Sequence, residues 1–97
     1  MATKEEYIRL LRKFASEHGS TYGINRIGIF GSVARGQQNE DSDVDVLVEA
    51  PVLDLLSIVG IKRQLEELFG APVDVVRKTE YMPPRFRARV ESEVIYV

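Results

Sequence analysis

Two aspartates stand two apart in Asp43-Val44-Asp45-Val46, and a third acid, Asp74, sits in Val73-Asp74-Val75-Val76. On a strand, residues i and i+2 leave the same face, so Asp43 and Asp45 project together while Val44 and Val46 turn to the core. Two carboxylates held about 4 Å apart repel by roughly 4 kcal/mol at an effective dielectric of 20. A cation between them removes that cost. Oxygen ligands with no His or Cys beside them suit Mg2+ or Mn2+ rather than zinc. A bare Asp-x-Asp also fits an edge strand with two solvated aspartates. Asp74, in a strand that reads as buried, is costly unless it is paired or ligating. It reaches the same pocket if its strand neighbours the one carrying Asp43 and Asp45; otherwise it is an exposed residue on an alternating strand.

Upstream, Phe30-Gly31-Ser32-Val33-Ala34-Arg35-Gly36 leaves an apolar strand and turns at once. Gly31 lets backbone approach a ligand closely, and a helix opening at Ser32 turns free N–H groups outward. Ser32 adds a hydroxyl and Arg35 a fork of donors for phosphate oxygens. An ordinary strand-to-helix turn with a surface arginine would read the same way. Two look-alikes fail. Gly31 and Gly36 have the glycine spacing of a Walker A loop, but Gln37 and Gln38 stand where Lys and Ser/Thr are required. Asp41-x-Asp43-x-Asp45 imitates an EF-hand loop, but Val46 replaces its turn glycine and Val52 its bidentate glutamate.

The elements that must hold these residues alternate between helix and strand. Thr3 and Glu6 form a capping box ahead of Tyr7, Ile8, Leu11, Phe14 and Ala15 at helical spacing, with Gly19 as the expected stop. A strand is expected over Asn25–Phe30, a tight turn with one helical turn over Gly31–Gly36, and a second strand over Asp43–Glu49. A helix follows from about Leu53 to Phe69, with Leu55, Ile58, Val59, Leu65, Leu68 and Phe69 as its apolar stripe. Gly60 inside it costs about 1 kcal/mol against alanine and predicts a close neighbour. A strand over Pro72–Val76, a helix opened by Pro83 and Pro84 and running to about Glu91, and a strand over Val94–Val97 complete the chain. The order predicts one α/β or α+β domain over residues 1–97, a mixed sheet flanked by helices.

Composition narrows the function classes. Ninety-seven residues with 44% hydrophobic content suffice for a core, and the absence of cysteine excludes disulfides, thiolate metal sites and cysteine nucleophiles. No stretch reaches the ~20 apolar residues of a membrane helix, and the first residues lack the apolar run of a signal peptide, so the expected location is cytoplasmic. A net charge of -2 disfavours general nucleic-acid binding. That charge is uneven: six acids and no base lie in 37–61, and five bases against one acid in 77–89. His18, the only histidine, reads as a helix-end residue, and Tyr81 and Tyr96 read first as core or rim residues and second as a stack for a base. Arg85 and Arg89, four apart on one helical face, read first as surface charges and second as a partner or triphosphate contact. Lys62 and Arg63 read likewise.

Gly31-Ser32, ten residues, Asp43-x-Asp45 and then Asp74 on a later strand resemble the minimal nucleotidyltransferase (MNT) family, within the DNA polymerase beta-like nucleotidyltransferases. The wording Gly-Ser-x-Ala-Arg-Gly and Asp-Ser-Asp-x-Asp-x-Leu-Val is similar too. The resemblance implies a nucleotidyltransferase fold. It implies that Gly31 and Ser32 hold the β/γ-phosphates of a nucleoside triphosphate, and that Asp43 and Asp45 bind Mg2+, as two ions. It also implies that Asp74 completes the second metal site and helps deprotonate an acceptor hydroxyl. Arg35 as a phosphate clamp follows from its donors alone. The resemblance further implies ATP as donor and an antitoxin role, with AMP passed to a HEPN-type toxin, alone or in a homo- or hetero-oligomer. The competing reading is a catalytically idle module that neutralises its partner by contact. A small-molecule modifier is a third, disfavoured because no appended acceptor domain is present. A chain of this length has room for a donor site and little for a second walled pocket, so the acceptor is expected on a macromolecule.

Overall fold

The computed structural model describes residues 2–97. The first helix, α1 (Lys4–Tyr22), opens as its capping residues dictate: Thr3 Oγ1 accepts the Glu6 N–H at 3.1 Å. It runs one turn past the expected stop at Gly19. Tyr22 draws it on, packing beside Phe14 with ring centroids 6.3 Å apart and giving its hydroxyl to Gln64 Oε1 at 3.1 Å. The helix ends instead at Gly23, in the left-handed conformation at φ 66°.

Among the described residues, four strands follow and form one sheet. They are β1 (Arg26–Phe30), β2 (Val44–Glu49), β3 (Val73–Arg77) and β4 (Ile95–Tyr96). β1 is antiparallel to both β2 and β4, whereas β2 and β3 run parallel. A parallel pair needs a crossover, which α3 (Leu55–Phe69) supplies. A four-residue helix, α2 (Gly31–Ala34), directly follows β1, and α4 (Pro84–Glu93) precedes β4.

Both faces of the sheet are covered, which makes a mixed α+β layer structure. On one face Ile27, Ile29, Val44, Val46, Val48 and Val73 pack against Tyr7, Leu11 and Phe14 of α1 and Ile61, Leu65 and Phe69 of α3. On the other, Phe30 and Leu47 pack against Val90 of α4, with Phe86, Val76 and Tyr96 around them. Each buried side chain of this size contributes about 1.5–3 kcal/mol.

The expected stripe of α3 is corrected. The helix starts two residues later than expected, because Asp54 is its N-cap and accepts the Ser57 N–H at 2.7 Å. Leu55 is 74% exposed and Val59 38%, and the line facing the sheet is Ile61, Leu65 and Phe69. At about 100° per residue, Val59 lies roughly a third of a turn round from that line. Gly60 does have its close neighbour: a β-carbon there would lie 3.0 Å from the Tyr22 hydroxyl.

Candidate active site

The site is assembled by strand register. Phe30 pairs with Asp45 across the antiparallel β1–β2 ladder, and Asp45 pairs with Asp74 across the parallel β2–β3 ladder. Residues level with one another across a sheet share a face. Asp45 and Asp74 therefore stand side by side on the α4 face, at the end of the sheet where α2 leaves β1. Asp43 lies just ahead of β2, two residues before Asp45, and near enough for its charge to act on the Asp45 carboxylate. The preceding loop is braced by Asn39 and Ser42: Asn39 N–H donates to Ser42 Oγ at 3.0 Å, and Asp41 N–H to Asn39 Oδ1 at 2.9 Å.

Asp74 is exposed rather than buried, which corrects the reading of its strand as a buried one. Asp45 is half-buried and takes the strain of the arrangement. Burial raises its pKa first, and the charges of Asp74 and Asp43 raise it further, against the opposing pull of Arg89 and Arg35. Two acids and two bases thus converge electrostatically on one carboxylate.

Gly31 is the residue that lets the turn and the acid meet. It is buried, has φ 74°, and a β-carbon on it would overlap Asp45 Oδ2. Its N–H donates to Glu93 Oε2 at 3.2 Å. Arg35 donates from Nη1 to Glu93 Oε1 at 2.8 Å and from Nε to Gln37 Oε1 at 3.1 Å. Arg89 Nε stands 3.7 Å from the same Glu93 oxygen. Ser32 follows Gly31, half-buried.

The sequence pattern does not single out Glu93, and it reads Arg89 first as a surface charge. Their i,i+4 spacing on one helix was the available signal. The basic run 77–89 does not form one patch. Arg77 donates to the carbonyls of Ala50 and Pro51, Arg87 pairs with Glu91 at 2.9 Å, and Lys78 lies between Glu49 and Glu91. His18 rests against Phe14 on α1, away from the acids, and Tyr81 is 86% exposed. A hollow of about 670 Å3 is lined by Thr3, Lys4, Gly36 and Gln38 rather than by Asp43, Asp45 and Asp74.

The donor set fits a hard divalent ion. The converging groups are all carboxylate oxygens, yet no three acids among the described residues form a closed metal cage. Mg2+ ordinarily takes one or two carboxylates and fills its remaining positions with water and phosphate oxygens, so an open acidic row suits an ion shared with a nucleotide. No helix among the described residues is long and apolar enough to cross a membrane.

A mixed sheet with a Gly-Ser turn at the end of one strand and carboxylates on the next two strands in the sheet is the architecture of the nucleotidyltransferases. The chain belongs to the nucleotidyltransferase domain family, whose model matches residues 8–97. It is similar to the protein adenylyltransferase MntA of Thermococcus cleftensis, at 38% identity over 98 residues, spanning 100% of this chain and 98% of the relative. A solved structure described as a minimal nucleotidyltransferase aligns over 97% of this chain and 95% of its own, at 37% identity and TM-score 0.79. A complex of a tri-AMPylated Shewanella oneidensis HEPN toxin with MNT antitoxin shares the fold at 20% identity and TM-score 0.60, over 96% of this chain and 66% of that one.

Proposed function

We propose that the protein transfers AMP from ATP to a hydroxyl of a HEPN-type partner protein and so acts as its antitoxin. The observation that carries this reading is the level row Phe30–Asp45–Asp74, with Gly31 beneath the Asp45 carboxylate. It sets two acids, with Asp43 just ahead of them on the chain, beside a turn whose residues can take phosphate. The relative named a protein adenylyltransferase supports the reaction, and the antitoxin bound to a modified HEPN toxin supports the partner.

The roles follow from chemistry. Asp43, Asp45 and Asp74 would hold Mg2+, or Mn2+, as two ions. Bound there with the triphosphate, the metal supplies charge neutralisation at the phosphate oxygens. Gly31 and Ser32 orient the β- and γ-phosphates, and Arg35 and Arg89 offset their charge. Asp74, exposed where Asp45 is half-buried, accepts the proton of the incoming hydroxyl. An O–P bond forms at the α-phosphorus, the bond to the bridging oxygen breaks, and pyrophosphate leaves. Catalysis is then chiefly positioning and electrostatic stabilisation.

Intact mass spectrometry of the partner, co-expressed with the wild type and with Asp43→Asn, tests the reading. The wild type should add one or more AMP units and the variant none. A partner left unmodified yet neutralised by both forms would establish the contact-only reading instead.

A further inference from the structure

The groups assigned to phosphate are already holding an anion, and it belongs to the chain itself. Glu93 Oε2 accepts the Gly31 N–H at 3.2 Å, and Oε1 accepts from Arg35 at 2.8 Å, with Arg89 at 3.7 Å. One carboxylate thus bridges the turn, the arginine of the turn and an arginine of α4. A backbone N–H carries a single proton, so it cannot serve Glu93 and a phosphate oxygen together.

We propose that Glu93 is an internal competitor for the triphosphate, a carboxylate that occupies the phosphate donors until substrate displaces it. The proposal rests on the nucleotide reading above and adds a residue that sets affinity for the polyphosphate. The swap is local. Glu93 is the last residue of α4, and its backbone is held by the pairing of Ile95 with Ile29 and of Tyr96 with Gly28. Only its side chain, 17% exposed, has to move. Keeping the donors paired avoids leaving an arginine and a buried N–H without partners when the site is empty. A bound triphosphate would also be repelled by the carboxylate if it stayed, since like charges in a partly desolvated site interact strongly.

The test measures binding of Mg-AMP-PNP, inorganic tripolyphosphate and adenosine to the wild type, Glu93→Gln, Arg35→Gln and the double variant. Glu93→Gln should bind AMP-PNP and tripolyphosphate roughly three- to tenfold tighter, with adenosine unchanged. In the Arg35→Gln background that gain should shrink to less than about twofold, because the two residues act through each other. A residue with a merely structural role would not separate polyphosphate from adenosine. In the wild type, saturating tripolyphosphate should shift the Gly31 amide and the Glu93 side-chain carboxyl resonances together. This measurement decides the matter if Glu93→Gln fails to fold. Equal or weaker polyphosphate binding by a folded Glu93→Gln, beside a wild type that binds, overturns the competition alone. An unmoved Glu93 carboxyl at saturation does the same. A wild type and variants that bind neither AMP-PNP nor tripolyphosphate overturn the nucleotide reading, and the competition with it.

Discussion

The carboxylate of Asp45 lies in the space that a β-carbon on Gly31 would fill. Gly31→Ala must therefore push Asp45 out of its row as well as strain a backbone at φ 74°. Gly36 has a similar φ of 70° but open space around it. Both substitutions should cost about 1 kcal/mol or more in urea unfolding. Only Gly31→Ala should also cut AMP transfer, by about a hundredfold or more, since misplacement of this kind is expensive in rate. Equal loss of transfer in both variants would mean that backbone strain, not the overlap, is responsible.

Asp45→Asn should abolish transfer while raising stability at neutral pH. Burial and the neighbouring charges of Asp74 and Asp43 raise the Asp45 pKa. A carboxyl with a raised folded pKa binds more protons in the folded state, so it destabilises the fold above that pKa and is relieved as pH falls through it. The advantage of Asp45→Asn over wild type should be greatest at neutral pH and shrink toward about pH 4, near the ordinary aspartate value. Urea denaturation of both proteins across that range measures it. A variant less stable at neutral pH would make Asp45 a structural group.

Removing divalent metal should weaken nucleotide binding. The acidic row repels a triphosphate unless cations intervene, so calorimetry with AMP-PNP should give at least roughly tenfold weaker affinity in EDTA than in Mg2+. Asp43→Asn should lower the Mg2+ dependence. Identical affinity with and without metal would remove the three acids from the nucleotide site.

At the other end of the sheet, the Tyr96 phenol is pushed up to about 12, by burial first and by the Glu49 carboxylate second. The Arg26 guanidinium lies over its ring, 3.5 Å from the centroid. With the folded value above the unfolded one of about 10, the stability is present below about pH 10 and lost as pH rises toward 12. Tyr96→Phe should flatten that loss in alkaline denaturation. An unchanged slope would assign the alkaline sensitivity to another tyrosine.

Much of this architecture is written in local pattern. Thr3 and Glu6 mark the start of α1, and the alternation of Asp43, Val44, Asp45 and Val46 sorts β2 into a core face and a polar one. What local pattern missed depends on distant neighbours. Gly19 reads locally as a stop, but Tyr22 meets Gly60 and Phe14 and carries α1 past it; the first turn of α3 is apolar yet exposed, so its stripe does not follow from hydrophobicity alone. Asp74 could be placed beside Asp45 only once the order of β2 and β3 was known. The i,i+4 spacing with Arg89 marks Glu93 as an ion-pair partner, but its place at the turn depends on bonds to Arg35 and Gly31 that span 58 and 62 residues of chain.

The alternation of β2 ties accurate folding to chemistry. Val44, Val46 and Val48 fill one face, while Asp45 and Leu47 serve the other. A slip of one residue would drive Asp45 into the valine layer and turn the valines toward α4. Such a chain would lose its core and its reactive row in the same step. Misassembled copies would therefore be inert as well as unstable, and strand pairing would act as a proofreading step that no separate factor has to supply.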